Sequence, residues 1–187
     1  KRMNPLPELN DGPYVIVANH SSYLDIILMY RILPKTKFLF IGKSELLRWP
    51  IINIFFKKVD IAVNRDRRSS GMQSILRAKE ELKNGWSIVL FPEGGIPVNT
   101  PILNPFKNGA FKLAIDSEVP LLPISIINNW QLFNVDPILT GLARPGMARV
   151  VVHKPVPTVG MDKKDLIPLR QQVFETINEP LKANKQK

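Results

Sequence analysis

The sequence has no cysteine and only two histidines among its 187 residues. Without thiols there are no disulfide staples, no thiolate nucleophile and no cysteine-ligated zinc, and the lack agrees with a cytosol-facing protein. With only two histidines, His20 and His153, and no cysteine, no bound metal is expected. No run approaches the roughly eighteen uncharged apolar residues that a spanning helix needs. A signal peptide is also lacking. The chain opens Lys1-Arg2-Met3 and reaches apolar strand-like sequence by Tyr14. A membrane anchor upstream of this stretch is therefore compatible with the sequence.

Acidic residues are comparatively scarce. There are 16 against 26 basic ones, for a formal charge of +10. The excess is uneven: between Lys35 and Arg68 nine basic residues face only Glu45, Asp60 and Asp66. Such a segment seeks an anionic partner (phosphate groups, a phospholipid surface or nucleic acid) or is simply a solvated basic face. The chain is 44% hydrophobic, enough for one compact core and too much for a disordered polycation.

Short apolar runs at Tyr14–Ala18, Lys37–Ile41, Asp60–Val63, Ser87–Phe91, Leu121–Ile127 and Ala148–His153 read as strands. Between them, Asp25–Leu33 and Asn108–Ser117 have helical character, and Leu46–Phe56 reads as a helix broken at Pro50. Ser70-Gly71-Met72-Gln73 resembles a capping box opening a helix that ends at Asn84-Gly85. Lys163–Leu181 closes the chain as a helix, with an interruption expected at Pro168. Alternating strands and helices predict an α/β fold: one domain over residues 1–187, with a mostly parallel mixed sheet and helices on both faces. In such sheets sites gather at the carboxyl ends of strands. Asn19-His20-Ser21-Ser22-Tyr23-Leu24-Asp25 and Phe91-Pro92-Glu93-Gly94 both fall there.

On a regular helix His20 and Asp25 would point about 140° apart. They meet only if His20 precedes the helix and the chain bends at Ser21 and Ser22, which suit helix caps. An imidazole so placed takes a hydroxyl proton near neutral pH, and a carboxylate on its other nitrogen fixes the tautomer. Ser22-Tyr23-Leu24-Asp25 is equally a serviceable capping box. Neither serine lies in the Gly-x-Ser-x-Gly elbow of hydrolases. His153 carries no motif and reads as structural.

Four blocks in this order resemble the 1-acyl-glycerol-3-phosphate acyltransferase family and its glycerolipid relatives. They are Asn19-His20 to Asp25, Ile61-Ala62-Val63-Asn64-Arg65, Phe91-Pro92-Glu93-Gly94, and Val119-Pro120-Leu121-Leu122-Pro123-Ile124. Lys43-Glu45-Leu46 and Lys107-Gly109-Ala110 also sit where similar residues occur. The resemblance implies transfer of a fatty acyl group from acyl-CoA or acyl carrier protein to the free hydroxyl of 1-acyl-glycerol-3-phosphate, forming phosphatidic acid. It implies His20 as general base with Asp25 orienting it. Arg65 would hold the acceptor's phosphate as a bidentate donor, where the residue alone reads as one solvated charge among several. Glu93 and Gly94 would shape the acceptor pocket, although Glu93 in a Pro-Glu-Gly turn is also a natural partner for nearby backbone amides. No bound cofactor and no nucleic acid are implied.

One block departs from the pattern. Threonine, arginine and serine usually follow the glycine of the third block, but Gly95-Ile96-Pro97 stands here. One expected phosphate contact is lost, leaving Arg65, Lys43 and Lys107 to compensate. Another acceptor, glycerol-3-phosphate or a different lysolipid, therefore stays open. A lipid acceptor implies an anionic membrane surface as partner and a membrane-associated location at the cytoplasmic face. Leu46–Phe56, with Trp49 and the following Lys57-Lys58, suits either the headgroup region or a core helix. A non-enzymatic basic module would explain the charge but not the four ordered blocks.

Overall fold

A computed structural model describes residues 3–4, 7–9, 12–43, 61–63, 68–133 and 143–185. The elements run β1 (Val15–Ala18), α1 (Leu24–Ile32), β2 (Phe38–Lys43), β3 (Ile61–Val63), α2 (Arg68–Lys83), β4 (Ser87–Leu90), α3 (Gly109–Ser117), β5 (Leu121–Ile126), α4 (Asn129–Leu132), β6 (Val150–Val152) and α5 (Leu166–Lys185). The six strands form one sheet in the order β3-β2-β4-β1-β5-β6. All neighbours are parallel except β5 and β6, where Ile124 pairs with Val152 antiparallel. The expected mostly parallel mixed sheet is what forms.

β1 lies between β4 and β5, and every residue of it is buried. A strand covered on both faces can be apolar at each position, which is why Val15–Ala18 shows no polar alternation. Its side chains still alternate between two cores. Ile16 and Ala18 pack with Ile26, Met29, Ile32 and Leu33 from α1 and its end. Val15 and Val17 pack on the other face with Ala78 and Leu82 of α2, Phe111 and Leu113 of α3, and Val173 and Ile177 of α5. Helices thus cover both faces.

Connectivity decides where the site lies. From β1 to β2 the chain moves toward the β3 edge, whereas β4 to β5 moves the opposite way. With right-handed crossovers, reversed travel puts the connecting helices on opposite faces. The loops after the adjacent strands β1 and β4 therefore diverge, and a crevice opens between them at their carboxyl ends.

Two expectations about helix ends are corrected. α2 is already helical at Arg68, so Ser70 sits in its first turn rather than capping it. Gly85 closes that helix with φ 82°, as expected for a left-handed cap. Pro168 does not interrupt α5, because it occupies the first turn, where a missing N–H leaves no helical bond unmade. The apolar segment 46–56 and Lys57-Lys58 lie outside the described residues. No described helix is long and apolar enough to cross a membrane.

Candidate active site

His20 and Asp25 meet as the bend requires. The His20 Nδ1 to Asp25 Oδ2 distance is 2.9 Å, and Asp25 is fully buried. The same Oδ2 accepts from the backbone N–H of Ser21 at 2.6 Å and of Ser22 at 2.9 Å. Ser22 Oγ in turn accepts from the N–H of Leu24 at 3.2 Å. Tyr23 already has helical dihedrals, so Ser22 does the capping. The capping box and the His/Asp pair are therefore one structure. The carboxylate that ties down the start of α1 is the carboxylate that faces the imidazole.

With Nδ1 turned to Asp25, the neutral tautomer leaves the Nε2 lone pair for a substrate. Nε2 makes no hydrogen bond among the described residues, and His20 as a whole is 8% exposed. Its ring stacks on Phe91 with centroids 4.1 Å apart and planes 14° from parallel. Neither serine hydroxyl is bonded to His20. Ser22 Oγ donates to the Phe133 carbonyl at 3.0 Å and Ser21 Oγ leans toward Asp25 Oδ1 at 3.5 Å. The arrangement offers a base, not an activated serine.

Asp25 Oδ1 accepts from Asn129 Nδ2 at 2.7 Å. Asn129 lies just beyond β5 and is fully buried. Asn19 braces the same region: its side-chain amide exchanges two bonds with the backbone of Ile126, at 2.9 and 2.7 Å. Loops after three adjacent strands, β4, β1 and β5, thus converge on one imidazole. Asn129 escaped the sequence reading, and Phe91 stood in it only as the first residue of its block, with no contact to His20 foreseen. The only signal for Asn129 was position, three residues past the end of β5, a strand flanking β1.

Glu93 is buried, and both of its oxygens are taken by backbone. Oε1 accepts from the His20 N–H at 2.9 Å and Oε2 from the Asn104 N–H at 2.8 Å. It links the loop after β4 to the residue carrying the imidazole. Burial pushes its carboxyl up from 4.5 to about 7, against the two amide donors, and the nearby Asp25 charge adds to the rise. The native state thus holds this proton more tightly than the unfolded chain. The stability it contributes is complete below about 4.5 and is lost as pH rises through about 7, a swing of about 3 kcal/mol. Unfolding midpoints in urea at pH 5 and pH 8 measure it. Glu93→Gln is expected to start less stable, because an NH₂ would face an amide N–H, and to fall less between the two pH values. Parallel profiles for the two proteins would overturn this.

Gly94 has φ 83°, a conformation costly for any residue with a Cβ. Lys107 Nζ lies 2.5 Å from where such a Cβ would stand, and the Lys107 N–H donates to the Pro92 carbonyl at 2.8 Å. The structure therefore brings Lys107 to the Pro-Glu-Gly turn. Lys43 ends β2 beside β4, also at the carboxyl edge, but its side chain and all of Arg65 lie outside the described residues. His153 Nε2 is 2.8 Å from Ser125 Oγ, which also donates to the Ile177 carbonyl at 3.0 Å, so it ties β5 to α5 away from His20. Burial lowers its pKa. No group of three or more acidic or histidine side chains suited to a metal ion occurs among the described residues.

The chain has relatives among known proteins. A profile of the Acyltransferase family matches residues 2–127. The chain is 33% identical over 170 residues to an uncharacterized acyltransferase of Schizosaccharomyces pombe, covering 89% of this chain and 60% of that protein. It is 32% identical over 169 residues to 1-acyl-sn-glycerol-3-phosphate acyltransferase alpha of Mus musculus, covering 86% of this chain and 56% of that protein. The chain thus spans little more than half the length of these curated relatives. The crystal structure of the 1-acyl-sn-glycerophosphate acyltransferase PlsC from Thermotoga maritima matches with a TM-score of 0.77 at 27% identity, over 96% of this chain and 69% of that one. The chain belongs to the acyltransferase family.

Proposed function

We propose that this protein is an O-acyltransferase that moves a fatty acyl group from a thioester of coenzyme A or acyl carrier protein to the free hydroxyl of 1-acyl-glycerol-3-phosphate. The observation that carries this reading is the 2.9 Å pairing of His20 Nδ1 with buried Asp25, which leaves Nε2 as the base. The acceptor's hydroxyl gives its proton to Nε2 while its oxygen bonds to the acyl carbon. Asp25 balances the resulting imidazolium. The carbon–sulfur bond then breaks, and the departing thiolate recovers the proton from the ring. Relatives named as 1-acyl-sn-glycerol-3-phosphate acyltransferases support the acceptor. Lys107 beside Gly94, with Lys43 and Arg65, supplies cations for its phosphate, while Glu93 and Gly94 shape the turn beneath it. Because that acceptor resides in a lipid leaflet, the protein works at an anionic membrane surface, on the cytoplasmic face where both donors occur.

An acceptor panel tests this: 1-acyl-glycerol-3-phosphate, glycerol-3-phosphate and a lysolipid whose phosphate carries choline, each with both donors. Removing a charge-assisted contact costs about 1.5–3 kcal/mol. The kcat/KM for 1-acyl-glycerol-3-phosphate should accordingly exceed the others by about tenfold or more. A higher value for another acceptor moves the activity to that lipid. No transfer to any of them refutes the proposal.

A further inference from the structure

The segment from Gly94 to Phe106 carries no charged residue, yet it leaves the site and returns to it. Its base is tied twice, by the Lys107 N–H on the Pro92 carbonyl and by the Asn104 N–H on Glu93 Oε2. Leu103 and Phe106 turn inward onto the core shared by α2, α3 and α5. Val98 and Ile102 turn outward, 100% and 57% exposed. Single exposed aliphatics are ordinary on a protein surface. Two at the tip of a braced, uncharged loop beside a catalytic base are not explained by folding.

Part of the backbone of this loop is also relieved of free donors. Pro97, Pro101 and Pro105 have no N–H. The N–H groups of Thr100 and Ile102 bond to the carbonyls of Pro97 and Asn99, and Thr100 Oγ1 donates to Pro97 at 2.7 Å. Placing a loop among acyl chains costs most where N–H groups lose water without a partner. Six of the eleven residues from 95 to 105 are spared that cost, three as prolines and three (Thr100, Ile102 and Asn104) by bonded N–H groups, and the exposed Lys107 at the loop's base is placed to meet anionic headgroups.

We propose that the loop 95–105 is a membrane-docking wedge. Val98 and Ile102 enter the bilayer interface and bring the crevice at His20 against the leaflet that holds the acceptor. The proposal rests on the lipid-acceptor reading above. It adds a specific contact surface, distinct from the basic segment between Lys35 and Arg68.

Because the chain has no cysteine, Val98→Cys gives a single labelling point for an environment-sensitive fluorophore. Val159→Cys serves as control. Val159 is 72% exposed, and its neighbour Thr158 bonds to Val119 just before β5, at the opposite end of the sheet. With phosphatidylcholine–phosphatidylglycerol vesicles, the label at 98 should shift to the blue and be quenched by spin-labelled lipid, while the label at 159 should not. The double variant Val98→Asp/Ile102→Asp should lose about tenfold or more in vesicle binding and in turnover of vesicle-borne acceptor. In detergent micelles, where docking is not needed, it should match the unsubstituted protein. The wedge is refuted if the protein fails to bind these vesicles, if the label at 98 stays in water on bound protein, or if the double variant turns over vesicle-borne acceptor normally. Absence of transfer in micelles by the unsubstituted protein would instead sink the acyltransferase reading, with the fluorescence still judging the wedge.

Discussion

His20→Ala is expected to lower kcat/KM for acyl transfer by about 10³-fold or more while leaving the protein folded. General-base catalysis by one positioned side chain contributes about 10²–10⁴-fold. The loss should fall on kcat rather than KM, because in the proposed reaction the ring meets only the acceptor's hydroxyl and takes no part in holding its phosphate or the acyl chain. The fold should survive. The bond that ties residue 20 to Glu93 uses the backbone N–H, which alanine retains. What is lost structurally is the stack on Phe91 and the bond to Asp25 Oδ2. An aromatic pair of this kind is worth about 0.5–1.5 kcal/mol, a drop of a few degrees in Tm. Circular dichroism and a thermal melt establish folding, and a radiolabelled acyl donor measures transfer. Activity within tenfold of the unsubstituted protein would remove His20 from the chemistry.

Much of this arrangement was legible in the sequence because it rests on local signals. The apolar runs gave the strands, since a covered parallel strand needs no polar face. The bend between His20 and Asp25 followed from helix geometry and two serines. What stayed hidden depends on contacts between distant parts of the chain. Asn129 reaches Asp25 from 104 positions away. Glu93 takes its amide partners from residues 73 and 11 positions away. The Pro-Glu-Gly turn alone could not separate a backbone brace from a wall of the acceptor pocket, and those two bonds are a brace that leaves the second role open. Pro168 misled for a related reason. A proline's effect depends on its place within a helix: counted from Lys163 it lies inside, but α5 starts at Leu166 after Asp165, a residue suited to the N-cap, which puts Pro168 in the first turn. The phosphate-binding assignments to Arg65 and Lys43 rest on resemblance, since those side chains fall outside the described residues.

Asp25→Asn should reduce kcat about 10³–10⁴-fold with little loss of stability, separating two roles that one carboxylate fills. Oδ2 carries three bonds, from His20 Nδ1 and the N–H groups of Ser21 and Ser22. An amide oxygen in its place keeps all three, and the new NH₂ then takes the position of Oδ1 against Asn129. There the buried Asn129 holds a solution ready, because its Oδ1 has no partner among the described residues. Rotating that amide by half a turn presents an acceptor to the new donor, and the network closes again without charge. The start of α1 is preserved, but the imidazolium formed during transfer has no anion to balance it. Asp25→Ala behaves differently. It orphans the N–H groups of Ser21 and Ser22 together with Asn129 Nδ2, at about 1–3 kcal/mol for each buried donor, so the melt itself should fall. The pair of variants therefore distinguishes an anion required for chemistry from a cap required for folding. If the asparagine variant transfers acyl groups within tenfold of the unsubstituted protein, Asp25 is a helix cap that happens to touch a histidine, and the base would have to act without it.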